Sequence, residues 1–217
     1  MPRTISIKGT GKVTLSPDLA VVSLTLRAKD KDYEKTVSKS AEQFDGLTAA
    51  LLTVGFDEKD IKTESYNVST EYESVRDEHG NYKNVFSGYV CVNQIRLEFA
   101  LDTERLSNVL SAIAKSVAEP ELNISFTVKD RDKAKKQLLE SAAKNARETA
   151  DILAAATGAK VLTLLSVEYG MTEHNFSSRT NFAVEDRCMA LGASAKMSFN
   201  PDDITVSDSA MFVWEIG

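Results

Sequence analysis

The sequence has little cysteine, proline and glycine, and each shortage excludes a class of protein. Its 217 residues include 2 cysteines, 4 prolines and 10 glycines. So few cysteines exclude a disulfide-stabilised scaffold, and so few prolines and glycines exclude collagen-like repeats and a long linker of that composition. Hydrophobic residues make up 42% of the chain and charged residues 27%. This balance is typical of a globular protein and excludes wholesale disorder.

The chain also lacks a basic excess and a long apolar run. It carries 26 basic and 32 acidic residues, for a net charge of −6. Nucleic-acid binders usually show a basic excess or a dense basic patch, so we expect no nucleic-acid partner. No stretch approaches 18 consecutive apolar residues, which predicts no membrane span. The first residues show no apolar core of a secretory signal. We therefore expect a cytoplasmic protein as written, or a periplasmic or surface protein if a leader was removed.

The hydrophobic pattern predicts an α+β protein with the element order β-β-α-β-β-α-β-α-β-β. Helices and antiparallel hairpins alternate in groups, which favours antiparallel sheet with three main helices packed on one face. We expect one domain over residues 1–217, with an irregular segment at about 171–203 whose periodicity is weak. The predicted strands cover residues 4–15, 19–29, 61–72, 85–101, 122–128, 161–169 and 204–216, and the helices about 32–54, 103–118 and 130–157.

Two helices carry apolar stripes that predict which of their faces are buried. The first helix begins at Asp30 or Asp32 and ends at Gly55, which supplies a left-handed stop. We expect Phe44 on this helix and Leu97 on the long strand to be buried, so that Phe44→Ala costs about 3–5 kcal/mol. The first stripe is Tyr33, Val37, Ala41, Phe44, Leu47, Leu51 and Val54, and the third helix carries Ala134, Leu138, Ala142, Ala146, Ala150, Leu153 and Ala154.

Motifs for phosphate, dinucleotide, metal and nucleophile chemistry are missing. Gly9 and Gly11 are not followed by a helix, so they predict a β-bulge or bend rather than a nucleotide loop. His79 and His174 lie in polar stretches without a second ligand at metal spacing, which predicts surface histidines. A nucleophile–base pair of Cys188 and His174 has no local signature. We therefore assign no catalytic, cofactor-binding or metal residues and no cofactor, and we predict that the protein is not an enzyme.

Four tyrosines, by contrast, cluster around the predicted hairpin at residues 76–84. An exposed aromatic patch there would suggest a surface for a partner or ligand, whereas cross-strand aromatic packing would have a structural role only. Glu71 and Glu73 lie on the same strand and point to one side, a spacing that favours solvation over an acid–base pair. Cys91 falls in a strand pattern and predicts a buried thiol; a bridge to Cys188 is possible but not required. The tyrosines are Tyr66, Tyr72, Tyr82 and Tyr89.

Four segments, taken in their order and spacing, resemble a known family. They are Gly9-Thr10-Gly11 with Pro17-Asp18 before a strand, residues 54–63 (VGFDEKDIKT), Gly88-Tyr89 leading to Leu101-Asp102, and the alanine-rich helix of residues 142–158. By these segments the chain resembles the SIMPL-domain family, which includes periplasmic-immunogen-like and stress-related bacterial proteins. The chain departs from the family pattern at Pro201-Asp202, where the family tends to show Pro-Gly. It also departs at residues 170–200, which match no family segment.

The resemblance implies a non-enzymatic protein of uncharacterised role. Family members are commonly exported, some bacterial ones form ring-like or channel-like homo-oligomers, others are linked to stress tolerance, and an animal member is an adaptor in kinase signalling. We therefore expect a homo-oligomer or a protein-interaction scaffold. Two alternatives stay open: a small-molecule binding protein with a groove between helices and sheet, and an enzyme with a site of scattered Asp, Glu, Tyr and Arg.

Overall fold

The computed structural model describes residues 3–76, 81–170, 173–184 and 199–217. His79, Cys188 and, within the segment 171–203, residues 171–172 and 185–198 lie outside these residues. Within them, the α+β class and the predicted element order are confirmed, with one further strand, β7, inside the segment expected to be irregular. The elements are β1 (Arg3–Leu15), β2 (Leu19–Asp30), α1 (Tyr33–Leu52), β3 (Lys62–Arg76), β4 (Tyr82–Ala100), α2 (Thr103–Lys115), β5 (Glu121–Thr127), α3 (Arg131–Ala156), β6 (Val161–Glu168), β7 (Ser177–Val184) and β8 (Ile204–Ile216).

The chain divides into two compact units. The first unit comprises Met1–Asp18, Thr127–Arg179 and Pro201–Gly217, and the second comprises Leu19–Phe126 and Thr180–Asn200. Helix α3 belongs to the first unit, and helices α1 and α2 belong to the second. The single domain expected for residues 1–217 stays a prediction.

In the second unit, α1 packs against a sheet of the order β3-β4-β2-β5-β7, and α2 packs beside α1 with its apolar side chains in the same core. Strand β4 pairs antiparallel with both β2 and β3. Alternate residues of β2 and β4 face the helices and form the core with apolar side chains of α1, α2 and β5. Leu97 is fully buried there, as expected, whereas Phe44 is only partly buried at the edge of this core.

The ends of α1 confirm the predicted signals, but its buried face does not. The Asp32 carboxylate accepts from the Lys35 backbone N–H at 3.1 Å, and Gly55 has a φ of +85°. The predicted stripe is wrong in the first turns, where Tyr33 and Ala41 are exposed and Thr36 and Ser40 are buried. Their hydroxyls are buried at low cost because each has a partner. Thr36 donates to the Asp32 carbonyl at 2.9 Å, and Ser40 accepts from the Cys91 thiol at 3.2 Å.

In the first unit, α3 packs mainly on β1 and β8 of a three-stranded sheet. The strand order is β1-β8-β6, and β8 pairs antiparallel with both neighbours. Every fourth residue of α3 is buried, from Ala134 through Leu138 to Ala154. Leu153 is the exception to the predicted stripe, since 46% of it is exposed. The small side chains let the helix lie close to the strands.

The close approach of α3 to β1 requires glycine at positions 9 and 11. The bulge predicted at these glycines is wrong. Pairing of β1 with β8 runs from Arg3↔Ile216 to Leu15↔Ile204 without a register shift. A Cβ atom at Gly9 would lie 2.3 Å from the Ala142 carbonyl oxygen, and one at Gly11 would lie 2.2 Å from that of Leu138. No side chain fits at these distances, so only glycine lets the helix backbone rest on the strand.

Side chains of α3 also bond the outer edge of β1. The Thr10 backbone N–H donates to the Asn145 side-chain oxygen at 2.9 Å, and the Lys12 backbone N–H donates to the Ser141 hydroxyl at 3.3 Å. Strand edges with unpaired backbone groups invite pairing with other chains, and proteins commonly cover them. Part of this edge of the sheet is therefore covered by the helix.

Candidate functional site

Strands β3 and β4 continue beyond the end of β2 as a two-stranded arm. The β2–β4 pairing ends at Asp30↔Tyr89, whereas the β3–β4 pairing continues to Arg76↔Tyr82. We define the arm as residues 71–76 and 82–87. None of these residues is buried. A two-stranded ribbon is marginally stable alone in water and gains stability when another surface packs on it.

A row of aromatic rings extends from α1 onto the arm. Neighbouring ring centroids lie 5.3–6.0 Å apart, and all three contacts are edge-to-face. Both interpretations of the tyrosine cluster therefore hold in part, because the rings pack across the strands and three of them stay 43% to 58% exposed. Sequence reasoning missed Tyr33 and Phe86, since their proximity depends on strand register. The aromatic row consists of Tyr33, Tyr89, Phe86 and Tyr72 in spatial order.

Charged side chains join the base of the arm to β2. The Lys29 ammonium lies next to the carboxylates of Glu71 and Glu73, and it donates to the Ser87 hydroxyl at 2.9 Å. Hydrogen bonds from Ser87 and then Lys29 lower the pKa of Glu73, and the bond with Glu71 raises that of Lys29. Both glutamates lie beside one lysine, and the lowered pKa of Glu73 is the opposite of what a general acid needs. Their role is to orient the arm.

A second polar cluster lies in the first unit, around Asp208 of β8. One carboxylate oxygen accepts from the Tyr169 hydroxyl at 2.8 Å and lies 2.8 Å from His174 Nε2, and the other accepts from the Ser209 backbone N–H at 2.7 Å. The prediction of a surface histidine is wrong for His174, because only 7% of its side chain is exposed. Its ring packs edge-on against Phe176. The cluster ties the chain after β6 to β8.

Replacing Asp208 with asparagine is expected to destabilise the protein by about 1–3 kcal/mol at pH 7. Burial by itself would raise the pKa of Asp208, but the hydrogen bonds from Tyr169, the Ser209 backbone and His174 outweigh burial and lower it. A carboxyl whose pKa is lower in the folded state stabilises that state above its unfolded pKa, about 4, and loses this effect as the pH falls through the folded pKa.

The difference in stability between the wild type and Asp208→Asn should therefore shrink from pH 7 to pH 3. Urea unfolding followed by the fluorescence of Trp214, the single tryptophan, measures it because this residue is buried in the first unit. A difference that stays constant across this pH range would show that the carboxylate charge contributes nothing.

One cavity in the described part of the chain is small and mostly polar. A cavity of about 230 Å³ in the second unit is lined by polar side chains, including Arg27 and Glu121, which form an ion pair at 3.2 Å. Ligand pockets usually measure about 300–1,000 Å³ and are mostly apolar. Among all the residues that the structure describes, no three His, Cys, Asp or Glu side chains are placed to hold a metal ion.

Comparison with known proteins places the chain in a family. The profile of SIMPL, described as a protein of unknown function (DUF541), matches residues 5–214. The chain belongs to the SIMPL family. The resemblance predicted from the sequence motifs is confirmed, and the family description assigns no activity. Tests of function in this SIMPL chain must therefore start from its surfaces.

Two relatives of this SIMPL chain carry the same name. They are the 26 kDa periplasmic immunogenic proteins of Brucella melitensis biotype 1 and Brucella abortus strain S19, each 22% identical over 116 residues. The matched region covers 54% of this chain and 45% of each relative, so it spans about half the length of these proteins.

Two further predictions can be compared with the structure of this SIMPL chain. Cys91 is fully buried, as its strand pattern indicated. Among the helices described, none is long and apolar enough to cross a membrane, which agrees with the sequence.

Proposed function

We propose that this SIMPL chain is a non-enzymatic protein that assembles with further copies of itself through the arm and the aromatic row. The observation that carries the proposal is the exposure of Tyr33, Tyr72 and Phe86 on or beside a two-stranded ribbon that no third strand supports within the described residues. Aromatic residues are enriched in the buried parts of protein interfaces, where their large rings bury much area with few rotatable bonds.

The geometry of the arm supports a docking role rather than a ligand pocket. Its rings already contact one another and Lys29 holds its base, so little conformational entropy is lost when a partner packs on it. Tyrosine also keeps a hydroxyl that can stay hydrated at the rim of an interface. A second copy is preferred as the partner because the resemblance to the SIMPL family implies homo-oligomers. The small-molecule alternative is disfavoured because the cavity lined by Arg27 and Glu121 is smaller and more polar than usual ligand pockets.

The proposal also covers the compartment of the protein and its partners. The relatives are named as periplasmic proteins, and this name favours periplasmic placement over the cytoplasmic expectation. Fractionation of cells that express the full-length gene product tests this placement. The net charge of −6 disfavours nucleic acid as a partner. A stress-related role, which the resemblance also implies, would be exerted through the assembled form.

The double variant Tyr72→Ser/Phe86→Ser is expected to lower the mass of the assembly. The wild type should have a mass several times 23.8 kDa that is constant over a hundredfold concentration range. The variant removes two exposed rings of the row and should yield a smaller species, because interface aromatics carry a large share of binding energy. Light scattering behind a sizing column measures both masses.

Ile152→Gln is the matched control for this experiment. It removes an even more exposed apolar side chain from α3 and should leave the mass of the assembly unchanged. A wild type that is monomeric at every concentration, or a double variant with the wild-type mass, would contradict self-assembly through the arm. Circular dichroism of each variant confirms that it is folded.

A further inference from the structure

Strand β6 is an edge strand whose apolar side chains are left in solvent. It is the last strand of the sheet β1-β8-β6, and no described strand pairs with its outer edge. Four of its eight residues are large and apolar with 47% to 53% of each exposed. We call Leu162, Leu164, Leu165 and Val167 the β6 patch. Monomeric proteins rarely expose contiguous apolar patches of more than a few hundred Å², and larger ones mark interaction sites.

The two edges of this sheet differ in how far α3 covers them. Helix α3 bonds the outer N–H groups of Thr10 and Lys12 on β1, and it packs mainly on β1 and β8. Within the described residues, strand β6 has no comparable cover, and no charged residue interrupts it before Glu168. Proteins usually protect a free edge with a charge, a proline, a β-bulge or a covering element, and of these β6 has only the two register shifts in its pairing with β8. An uncovered apolar edge is therefore expected to pair in the assembled protein.

The two ends and the centre of β6 with its flank are complementary to themselves when the sequence is reversed. Residues 160–168 read KVLTLLSVE, and antiparallel pairing about Leu164 places Lys160 opposite Glu168 of the partner subunit. The same register places Val161 opposite Val167 of the partner subunit and Leu164 opposite itself. The Lys160–Glu168 and Val161–Val167 contacts each occur twice by symmetry, as in any two-fold interface. Opposite charges and apolar pairs at directly opposed positions stabilise antiparallel strands.

The irregularities of β6 fit the same axis. Its pairing with β8 shifts register between Val161 and Leu164 and again between Leu164 and Ser166. The two shifts lie on either side of Leu164, so a two-fold axis at this residue brings the irregular part of one strand opposite that of the other. This match in charge and register favours a second copy as the occupant of the edge.

We infer that β6 pairs antiparallel with β6 of a second copy, about a two-fold axis at Leu164. The inference rests on the self-assembly proposed above and adds a second surface to it, in the first unit rather than on the arm. Because the two contact surfaces are separate, a variant of one surface should abolish that contact and leave the other intact. The arm variant should retain the β6 pairing, and a β6 variant should retain the arm contact.

Charge reversal and its rescue test the register. In the Tyr72→Ser/Phe86→Ser background we expect a dimer, with twice the mass of 23.8 kDa. Adding Lys160→Glu places two like charges opposite each other at both ends of the strand pair and should raise the dimer dissociation constant about tenfold or more. Combining Lys160→Glu with Glu168→Lys restores opposite charges and should restore the dimer. Leu164→Lys, with two lysines at the axis, should give a monomer.

Lys12→Glu on β1 reverses an exposed charge at the other edge of the sheet and should leave the dimer unchanged. A dimer that resists both Leu164→Lys and Lys160→Glu would overturn the β6 pairing while the arm proposal stands. A monomer in the arm background before any β6 change would overturn it as well. If the β6 variants lower the mass of the wild type but the arm variant does not, the β6 pairing holds and the arm proposal fails. Loss of dimer without rescue by the double reversal would overturn the register.

Discussion

Gly9→Val is expected to destabilise the first unit by at least about 3 kcal/mol, which is at the upper end of the cost of overpacking. A Cβ at this position would lie 2.3 Å from the Ala142 carbonyl oxygen and 2.5 Å from the Ala146 Cβ. The helix would have to move away from β1, and with it the side chains of Asn145 and Ser141 that bond the strand edge. Urea unfolding followed by Trp214 fluorescence measures the loss.

Two further variants separate close approach from a general intolerance of larger residues. Gly170→Ala is the control, because no atom lies within 4 Å of its added Cβ, and it should change stability by less than about 0.5 kcal/mol. Ala146→Gly should not rescue Gly9→Val, since the closer of the two contacts is with the backbone of Ala142. A Gly9→Val protein as stable as the wild type would show that α3 does not rest on the strand as described.

The ends of elements were predictable because their signals are local. Asp32, Asp102 and Asp130 each accept from the backbone N–H three residues later, as N-cap residues do. Gly55 and Gly158 follow α1 and α3 with φ values of +85° and +74°, where glycine has no Cβ penalty. The alternation along β2, β4 and β8 was equally readable, since one face of each is buried.

Features that depend on tertiary contacts were not predictable in the same way. The Gly9 and Gly11 pair resembles a bulge until α3, more than a hundred residues later, is seen to cover it. The buried face of α1 is polar at Thr36 and Ser40 because their hydroxyls find partners. His174, which precedes β7, is buried because its Nε2 lies 2.8 Å from the Asp208 carboxylate of β8. For the glycines, Ser40 and His174 the deciding atom is distant in sequence.

The candidate site was predictable in its place but not in its composition. The tyrosine-rich hairpin drew attention to Tyr72 and Tyr89, and both belong to the aromatic row. Phe86 joins them because the β3–β4 register places it opposite Tyr72, and Tyr33 joins from the first turn of α1. The β6 patch was hidden because an exposed apolar strand and a buried one have the same sequence pattern.

Leu97→Ala is expected to cost about 2–5 kcal/mol, the range for a leucine removed from a closed core. Leu97 is fully buried opposite Val22 of β2 and packs in the core beneath α1 and α2. Phe44→Ala should cost less than the 3–5 kcal/mol expected from the sequence. Its ring is only partly buried, so part of the space vacated by the truncation is open to water and the cavity penalty is smaller.

Urea unfolding of the second unit, monitored by hydrogen exchange of the β2 and β4 backbone amides, measures the loss of stability in both variants. Trp214 fluorescence does not serve here, because this residue lies in the first unit and does not report on this core. The comparison also tests how the two faces of α1 are oriented. If Phe44→Ala proved as costly as Leu97→Ala, the phenylalanine would have to be a full member of the core. The buried face of α1 would then be rotated toward the stripe predicted from the sequence, and Thr36 and Ser40 would move away from the Asp32 carbonyl and the Cys91 thiol that now satisfy them.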